Sequence, residues 1–317
     1  MPDILQIKNV SKIYSGNTAL KEVSMNIPQG SIFGLLGPNG AGKTSLIRII
    51  NQITGPDTGE IFFQNEILQE KHTEKIGYLP EEGGLYKKMT VGDQAMYLGQ
   101  LKGLSKSEAK KRLQLWFEKF EMQTWWKKKV EELSKGMQQK VQFIVTVLHE
   151  PELLILDEPF SGFDPINAQL IKNEILELKQ KGTTIIFSTH NMGSVEELCD
   201  NIALIHKSEK ILDGSVKEIR KTHRTNTYKV SFRGNVMGFT NALWSGAEIL
   251  QKESDDDVNT FTIRLLNNLT PNQMLQLVLP TCEITGFQEI IPSMNDIFIM
   301  KVNQNHTNLG TQSNYTE

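Results

Sequence analysis

The alternation of hydrophobic and polar positions predicts strands and helices in regular succession over the first two thirds of the chain. Residues 5–10 alternate as a half-buried strand does, whereas residues 31–36 and 153–156 are short apolar runs typical of buried parallel strands. Helical spacing follows at residues 44–51 and 166–181. Strand, helix and strand in this order predict an α/β domain with a parallel sheet and crossover helices.

A long helical segment interrupts this order. Between about residues 88 and 150, apolar side chains such as Met96, Leu113 and Phe117 recur at helical spacing, with lysines and glutamates between them. The segment is therefore predicted to be a helical insert within a domain that extends over residues 1–220.

The chain changes character after about Gly214. Residues 217–226 are basic and polar and are interpreted as a linker, and residues 226–302 as a small α+β accessory domain. Residues 303–317 are rich in Asn, Thr, Gln and Gly, which predicts a disordered tail.

Within the accessory domain, the pattern predicts an antiparallel sheet with two helices. The strand-like stretches are residues 228–232, 259–265 and 297–302. Residues 239–244 and 271–278 have helical spacing.

A glycine-rich loop lies between the apolar run at 31–36 and the helix predicted after it. It fits the phosphate-binding pattern GxxxxGK[ST] with Gly37, Pro38, Asn39, Gly40, Ala41, Gly42, Lys43 and Thr44, which we call the phosphate loop. Its backbone N–H groups and the helix N-terminus are suited to a β-phosphate. Lys43 is predicted to reach the β- and γ-phosphates and Thr44 to ligate Mg²⁺, and Ser45 is counted among the nucleotide-binding residues. Because strand and helix are both in place, a chance glycine-rich turn is the weaker interpretation.

The apolar run at 153–156 ends in two acidic residues, Asp157 and Glu158. Buried carboxylates are unfavourable unless a partner compensates them, and Mg²⁺ is such a partner. Asp157 is predicted to hold the metal, directly or through water, and Glu158 to polarise the attacking water. The alternative, an ordinary acidic pair at a helix N-terminus, loses weight beside a phosphate loop.

In this order the motifs resemble those of the nucleotide-binding subunits of ABC transporters. Residues 133–137 read LSKGM, which is similar to the LSGGQ signature of the family, and we call them the signature loop. Residues 160–164 resemble the D-loop and residues 188–190 the H-loop. Tyr14 stands where the family has an aromatic residue that stacks on adenine. The resemblance covers about residues 3–220.

The resemblance implies a P-loop NTPase ABC cassette, with a mixed α/β sheet core, an antiparallel β subdomain and a helical insert, followed here by the small α+β domain. In this family two cassette subunits sandwich two ATP molecules head to tail, so a second subunit, with a homodimer favoured, completes each site. Ser134 and Gly136 then contact the partner's ATP, and Asp164 of the D-loop is counted among the nucleotide-binding residues. His190 is expected to hold the γ-phosphate and the water, and acts in catalysis with Lys43 and Glu158.

The sequence departs from the family pattern in two places. Glu81 stands at the glutamine position of the Q-loop, where a carboxylate still ligates Mg²⁺ through water and is expected to tune the site. Lys135 and Met137 stand where Gly and Gln are typical, while Ser134 and Gly136 are kept.

Two further stretches resemble one branch of the family. Residues 81–86 and 292–298 are similar to the bacterial exporter ATPases with an extra C-terminal domain, which include subunits described as sodium-extruding (NatA-like). The resemblance implies an exporter subunit, with sodium or a drug-like compound as candidate cargo and a separately encoded permease as partner.

Composition argues against several other classes. The formal net charge is -3, so bulk charge gives no attraction to nucleic acid, and the basic residues at 217–224 are interpreted as solvated surface. The two cysteines, Cys199 and Cys282, form no CxxC pair, which argues against a zinc site or a disulfide framework. No signal peptide and no apolar run of about 18 residues is seen, so contact with the cytoplasmic face of the membrane is expected only through the permease.

The predicted function is ATP hydrolysis that powers transport. The alternative is a soluble ABC-type regulatory ATPase whose turnover is slow because of Glu81. Soluble ABC ATPases of translation or repair usually carry two cassettes, long coiled coils or zinc motifs, which this sequence lacks. Trp125 and Trp126 are predicted to pack in the insert, and residues 255–257 to form a charged turn.

Overall fold

The computed structural model describes residues 2–255 and 257–310, with side chains up to residue 303. The chain divides into two compact units, Met1–Val216 and Lys217–Glu317. The division lies a little before residue 220, where the sequence pattern places the end of the first domain.

A six-stranded sheet forms the centre of the first unit. Its strands are β3 (Ile32–Leu36), β6 (Ile76–Leu79), β7 (Leu153–Asp157), β8 (Thr184–Thr189), β9 (Asn201–His206) and β10 (Glu209–Ser215). They lie in the order β10-β9-β3-β8-β7-β6, and all neighbours are parallel except β9 and β10. Every residue of β3, β7 and β8 is buried, which explains why these strands appear in the sequence as apolar runs rather than as alternating patterns.

A second, antiparallel sheet contains β1 (Asp3–Tyr14), β2 (Asn17–Pro28), β4 (Thr58–Phe63) and β5 (Glu66–Ile67), in the order β2-β1-β4-β5. Helix α1 (Lys43–Ile50) contributes Leu46, Ile47, Ile49 and Ile50 to a hydrophobic cluster that also holds buried residues of both sheets. Burying each aliphatic side chain of this kind stabilises the folded state by about 1.5–3 kcal/mol relative to leaving it exposed. This packing fixes the N-terminus of α1 against the end of β3.

Between β6 and β7 the chain forms α2 (Val91–Leu101), α3 (Lys106–Lys119) and α4 (Lys135–Val147), which confirms the helical insert. Thr90, Ser105 and Ser134 are their N-caps, and each side-chain oxygen accepts a backbone N–H of the first turn. Trp126 packs edge-on against Phe117, with ring centroids 5.4 Å apart. Helices α5 (Pro165–Gln180) and α6 (Met192–Leu198) follow β7 and β8.

The second unit is a four-stranded antiparallel sheet with helices on one face. Its strands are β11 (Thr227–Gly234), β12 (Ala247–Asp255), β13 (Val258–Leu265) and β14 (Cys282–Ile290), in the order β12-β13-β11-β14. Helices α8 (Val236–Ala242) and α9 (Pro271–Val278) pack on the sheet, and Phe232 stacks on Phe239 with ring centroids 4.1 Å apart. The small α+β fold expected from the pattern is therefore present.

Three expectations for this end of the chain need correction. Part of the predicted linker is helix α7 (Val216–Thr222), and the predicted strand at 297–302 lies within helix α10 (Met294–Gly310). A capping box explains the second error, because Ser293 N–H donates to Asp296 and Asp296 N–H donates to Ser293 Oγ. Residues 303–310, predicted to be disordered, continue α10, whereas residues 311–317 lie outside the described residues.

Residues 255–257 were predicted to form a charged turn, but Asp256 lies outside the described residues. Across the described chain, no helix combines the length and apolarity that crossing a bilayer requires.

Candidate functional site

Four neighbouring parallel strands end at one edge of the central sheet and bring most of the predicted residues together. The phosphate loop follows β3, His190 follows β8, Glu158 follows β7, and Glu81 lies just after β6. A cavity of about 280 Å³ opens there. Its lining consists of Ala19, Asn39, Gly40, Ala41, Gly42, Lys43, Thr44, Ser45, Glu81, Asp157 and Glu158.

The phosphate loop has a backbone conformation that depends on glycine at two positions. Gly37 and Gly42 have φ angles of 149° and 114°. A Cβ at Gly37 would lie 2.2 Å from the carbonyl oxygen of Ile205, and one at Gly42 would lie 2.2 Å from that of Ala19. A side chain is excluded at both positions by backbone atoms that have no room to move. The loop is thus held in a tight curl that ends at the N-terminus of α1.

Lys43 is buried at the start of α1. Its Nζ donates to the carbonyl oxygens of Gly37 at 2.7 Å and Pro38 at 3.2 Å. Burial lowers the pKa of Lys43 from its ordinary value, while the neighbouring carboxylates act in the opposite direction. The ammonium group therefore lies over its own loop and faces the acidic side of the cavity.

Oxygen atoms suited to a divalent cation line the opposite side. Asp157 is 5% exposed, and burial raises its pKa, with the charges of Glu81 and Glu158 adding to the effect. Thr44 supplies a hydroxyl to the same cavity. Among the described residues, no group of three or more His, Cys, Asp or Glu could hold a metal alone. One or two carboxylates and a hydroxyl, completed by phosphate oxygens, are the ligands that suit Mg²⁺, so these residues fit a magnesium nucleotide.

Glu158 has an unusual backbone and a fully engaged side chain. Its φ angle is 49°, a left-handed conformation that few residues with a Cβ adopt. One carboxylate oxygen, Oε1, accepts hydrogen bonds from the backbone N–H of His190 at 2.9 Å and lies 2.6 Å from its Nδ1. The other accepts a hydrogen bond from Thr189 Oγ1 at 3.0 Å. Glu158 is thus aimed at the cavity by residues that end the neighbouring strand β8.

The signature loop lies outside this cavity. Ser134 caps α4, and its Oγ accepts the backbone N–H of Met137 at 3.3 Å. Gly136, in the first turn of α4, faces residues 162–163, and outside its own helical turn the nearest described atom to a Cβ built on it is 3.9 Å away. Neither residue contributes to the lining of the cavity formed by its own chain.

Tyr14 and Asp164 are also absent from that lining. Tyr14 pairs with Asn17 at the end of the β1–β2 ladder and is 39% exposed. Asp164 caps α5, because its Oδ1 accepts the backbone N–H groups of Ile166 and Asn167, each at 3.0 Å. The sequence pattern did not identify this structural role of Asp164.

Two residues near the nucleotide cavity were missed from sequence. The carbonyl of Ala19 packs on Gly42, and no motif marks that position. Thr189 holds Glu158, and its only signal was its place between Ser188 and His190 in the H-loop-like triplet.

Comparison with known proteins identifies the family. A family model described as ABC transporter matches residues 20–161, and one described as ATP-binding protein DrrA1-3-like, C-terminal domain, matches residues 214–302. The uncharacterized ABC transporter ATP-binding protein YhaQ of Bacillus subtilis is 42% identical over 300 residues, which cover 94% of this chain and 98% of YhaQ.

Two further relatives from Bacillus subtilis cover the greater part of the chain. The linearmycin resistance ATP-binding protein LnrL is 36% identical over 68% of this chain and 70% of its own length. The ABC transporter ATP-binding protein NatA is 33% identical over 69% of this chain and 91% of its own.

The fold agrees with these relationships. The solved structure of an ATP-binding subunit of an ABC transporter superimposes with a TM-score of 0.65 at 30% identity, covering 69% of this chain and 92% of that one. The chain therefore belongs to the ATP-binding proteins of ABC transporters, whose cassettes bind and hydrolyse ATP and work with a membrane permease.

Proposed function

We propose that this chain is the ATPase subunit of an exporter in which two copies close on two magnesium-bound ATP molecules and drive a separately encoded permease. The protein would lie at the cytoplasmic face of the membrane and touch it only through that permease. The observation that carries the proposal is the separation of the signature loop from the nucleotide cavity. The cavity is lined by residues suited to phosphate, a metal and a water molecule but by no signature residue, which supports a second chain as the source of the signature loop.

The phosphate loop supplies the binding part of the site. Its N–H groups and the N-terminus of α1 stabilise phosphate charge, and Lys43 exchanges its own loop carbonyls for phosphate oxygens when nucleotide enters. Asn39, Ala41 and Ser45 line the same cavity. Tyr14, more than a third exposed at the end of its hairpin, remains the candidate for adenine stacking.

Thr44, Asp157 and Glu81 would hold the metal. Bound Mg²⁺ neutralises phosphate charge in this site. The raised pKa of Asp157 supports the assignment, because a buried carboxylate beside two others is the group that gains most from a cation. Glu81 supplies a formal charge where the family has a neutral amide, so we expect the site to bind Mg²⁺ with higher affinity.

Glu158 and His190 would perform the proton chemistry. Glu158 orients a water molecule and takes its proton as the water oxygen attacks the γ-phosphorus, the bond to the bridging oxygen of ADP breaks, and phosphate leaves. His190, joined to Glu158 at 2.6 Å, holds the carboxylate and can donate to the γ-phosphate. Thr189 bonds to one carboxylate oxygen of Glu158 and the backbone N–H of His190 bonds to the other, so the carboxylate is oriented before substrate binds.

The cargo proposal rests on relatives. LnrL is named for linearmycin resistance, which supports a drug-like cargo, and the resemblance to the NatA-like branch supports sodium. The match of residues 214–302 to the DrrA1-3-like C-terminal domain supports the exporter branch.

The decisive experiment compares purified wild type with Glu158→Gln and Lys43→Ala. We expect Glu158→Gln to lower kcat by about 10²–10⁴-fold and to retain nucleotide. It should also accumulate as an ATP-bound dimer on size-exclusion chromatography with Mg-ATP. Lys43→Ala should lose nucleotide affinity. Glu82→Gln, an exposed acid-to-amide change outside the cavity, is the matched control and should behave as wild type.

Two results would contradict the proposal. A Glu158→Gln protein that stays monomeric with Mg-ATP would rule out the sandwich. Slow wild-type turnover that Glu158→Gln leaves unchanged would favour the alternative, a regulatory ATPase limited by Glu81. The permease that co-purifies with the tagged chain, followed by growth of its deletion strain in sodium or membrane-active antibiotics, then tests the cargo.

A further inference from the structure

Helix α4 carries two glutamines that reach the loops on either side of the metal-binding carboxylates. Gln139 and Gln142 are three residues apart and therefore lie on one face of the helix. Gln139 Nε2 donates to the carbonyl of Ser161, in the loop that leaves β7. Gln142 Nε2 donates to the carbonyl of Pro80 at 3.3 Å, in the loop that leaves β6.

Gln142 is placed to control Glu81. It is 8% exposed, and its bond is made to the residue immediately before Glu81. Its amide nitrogen also lies 3.2 Å from the position of a Cβ at Gly84, so the loop passes close over it. Gln142, Glu81 and Asp157 also line one small cavity of about 10 Å³. The buried amide of Gln142 thus holds the backbone immediately before Glu81, which is itself exposed.

The same helix begins at the signature loop. Ser134 caps α4, and Gln142 lies about two turns further along. The hydrogen bond of Gln142 therefore joins the helix that begins at the signature loop to the peptide just before Glu81. In the sequence, Gln142 lies five residues beyond the end of the signature loop, between Val141 and Phe143.

We propose that Gln142 is a positioning residue that fixes Glu81 beside Asp157 and links the metal site of one nucleotide to the signature helix that serves the other. The link between the metal site of one nucleotide and the signature helix that serves the other rests on the proposed function. The claim that Gln142 holds the loop of Glu81 concerns the chain without nucleotide and does not depend on that function.

The test uses Gln142→Met, which keeps the length of the side chain and removes its donor. Thr146→Val is the control, because Thr146 lies one turn further along α4 and its hydroxyl bonds only within the helix, to the carbonyl of Gln142 at 2.8 Å. We expect hydrogen exchange of the amides of residues 81–86 to rise about tenfold in Gln142→Met without nucleotide, and the Mg²⁺ concentration for half-maximal nucleotide binding to rise about tenfold. Thr146→Val should stay within about twofold of wild type for both.

A double-mutant cycle separates positioning from general damage. If Gln142 acts through Glu81, Gln142→Met should change the magnesium dependence no further in a Glu81→Gln background. Additive effects of Gln142→Met and Glu81→Gln on the magnesium dependence would overturn the inference. So would amide exchange at residues 81–86 that is no faster in Gln142→Met than in Thr146→Val. Gln142→Asn, too short to reach Pro80, carries the same predictions should the Met variant not fold. A wild type without Glu158-dependent turnover would refute the proposed function instead, and the exchange measurement would still decide whether Gln142 holds the loop.

Discussion

The phosphate loop and the signature loop both precede a helix and both contain glycine, but the reasons for their glycines differ. At Gly42 a Cβ would lie 2.2 Å from a backbone oxygen of the same chain, and the φ angle of 114° is unfavourable for any other residue. At Gly136 a Cβ would meet no described atom outside its own helical turn closer than 3.9 Å. The fold of this chain requires the first glycine and tolerates a larger residue at the second.

This difference separates a glycine that the fold requires, Gly42, from one that the fold does not require, Gly136. Glycine in a helical turn is destabilising by roughly 0.5–1 kcal/mol relative to alanine. Gly136 therefore lowers the stability of α4, and around its Cβ position the described chain outside its own helical turn leaves room for a larger residue. A close approach by the nucleotide of a second subunit, as proposed above, would explain why a small residue stands there.

The largest effect is expected for Gly42→Ala. The new methyl group meets the carbonyl of Ala19, and the backbone must leave its left-handed conformation, so we expect a loss of about 3 kcal/mol in the free energy of unfolding. Urea unfolding measures this, and ATP affinity should fall at least about 100-fold. Gly40→Ala is the control, because Gly40 has a φ of 79° but open space around its Cβ position, and it should lose only about 1–2 kcal/mol. Equal losses in the two variants would show that the crowding at Gly42 is unimportant.

Gly136→Ala should separate activity from stability. We expect its free energy of unfolding to be unchanged or raised by up to about 1 kcal/mol, because alanine is the better helix former. Its kcat should fall by about 10²-fold, since a methyl group displaces the partner's nucleotide from α4. Unfolding in urea and ATPase assays at saturating ATP test both parts. Normal activity in this variant would mean that the signature loop does not approach nucleotide.

The site and the first unit were largely predictable from sequence because their signals are local. A strand, a glycine-rich loop and a helix in succession located Lys43 and Thr44, and parallel strands necessarily bring Asp157 and His190 to one edge. What escaped prediction depends on distant contacts. The hydrogen bond of Gln142 to Pro80 spans 62 residues, and the packing of Ala19 on Gly42 depends on how β2 crosses the loop.

The second unit was harder to predict because its signals conflict. Edge strands β12 and β14 are mostly exposed and lack a clear apolar face, so the pattern did not mark them. Residues 297–302 are mostly apolar, as a buried strand would be, but the cap at Ser293 and the buried Met294 and Ile297 make them helical. Local capping thus outweighs the strand signal of a short apolar run.

Ser134 offers a smaller and more specific comparison within the signature loop. Ser134→Ala removes the cap of α4 and should lower the free energy of unfolding by about 1 kcal/mol, whereas Ser134→Gly should lower it by a few tenths. Both remove the hydroxyl proposed to reach the partner's nucleotide, so both should lower kcat by about tenfold. Thermal unfolding and ATPase assays distinguish the two roles. If kcat follows the stability difference between the variants, the hydroxyl serves only as a cap.

The smallest effect expected is in pH dependence, and it should belong to the phosphate loop alone. Burial lowers the pKa of Lys43, so its ammonium group loses its proton at a lower pH than an ordinary lysine would. The affinity for ADP, measured without Mg²⁺, should therefore begin to weaken at a pH below the ordinary lysine value of 10.5 and fall severalfold as the pH rises towards that value. The stability of the nucleotide-free chain should change in the opposite direction. The unfolded chain binds more protons than the folded chain in the window between the lowered pKa and 10.5, so stability rises with pH there. The Ser134 hydroxyl and the Gly136 backbone N–H, the two signature-loop donors proposed to reach nucleotide, do not titrate in this pH range, so Ser134→Ala should give an affinity profile parallel to that of wild type. A wild-type affinity that stays constant up to pH 10.5 would show that Lys43 keeps its charge, and the acidic side of the cavity would then outweigh the burial of this ammonium group.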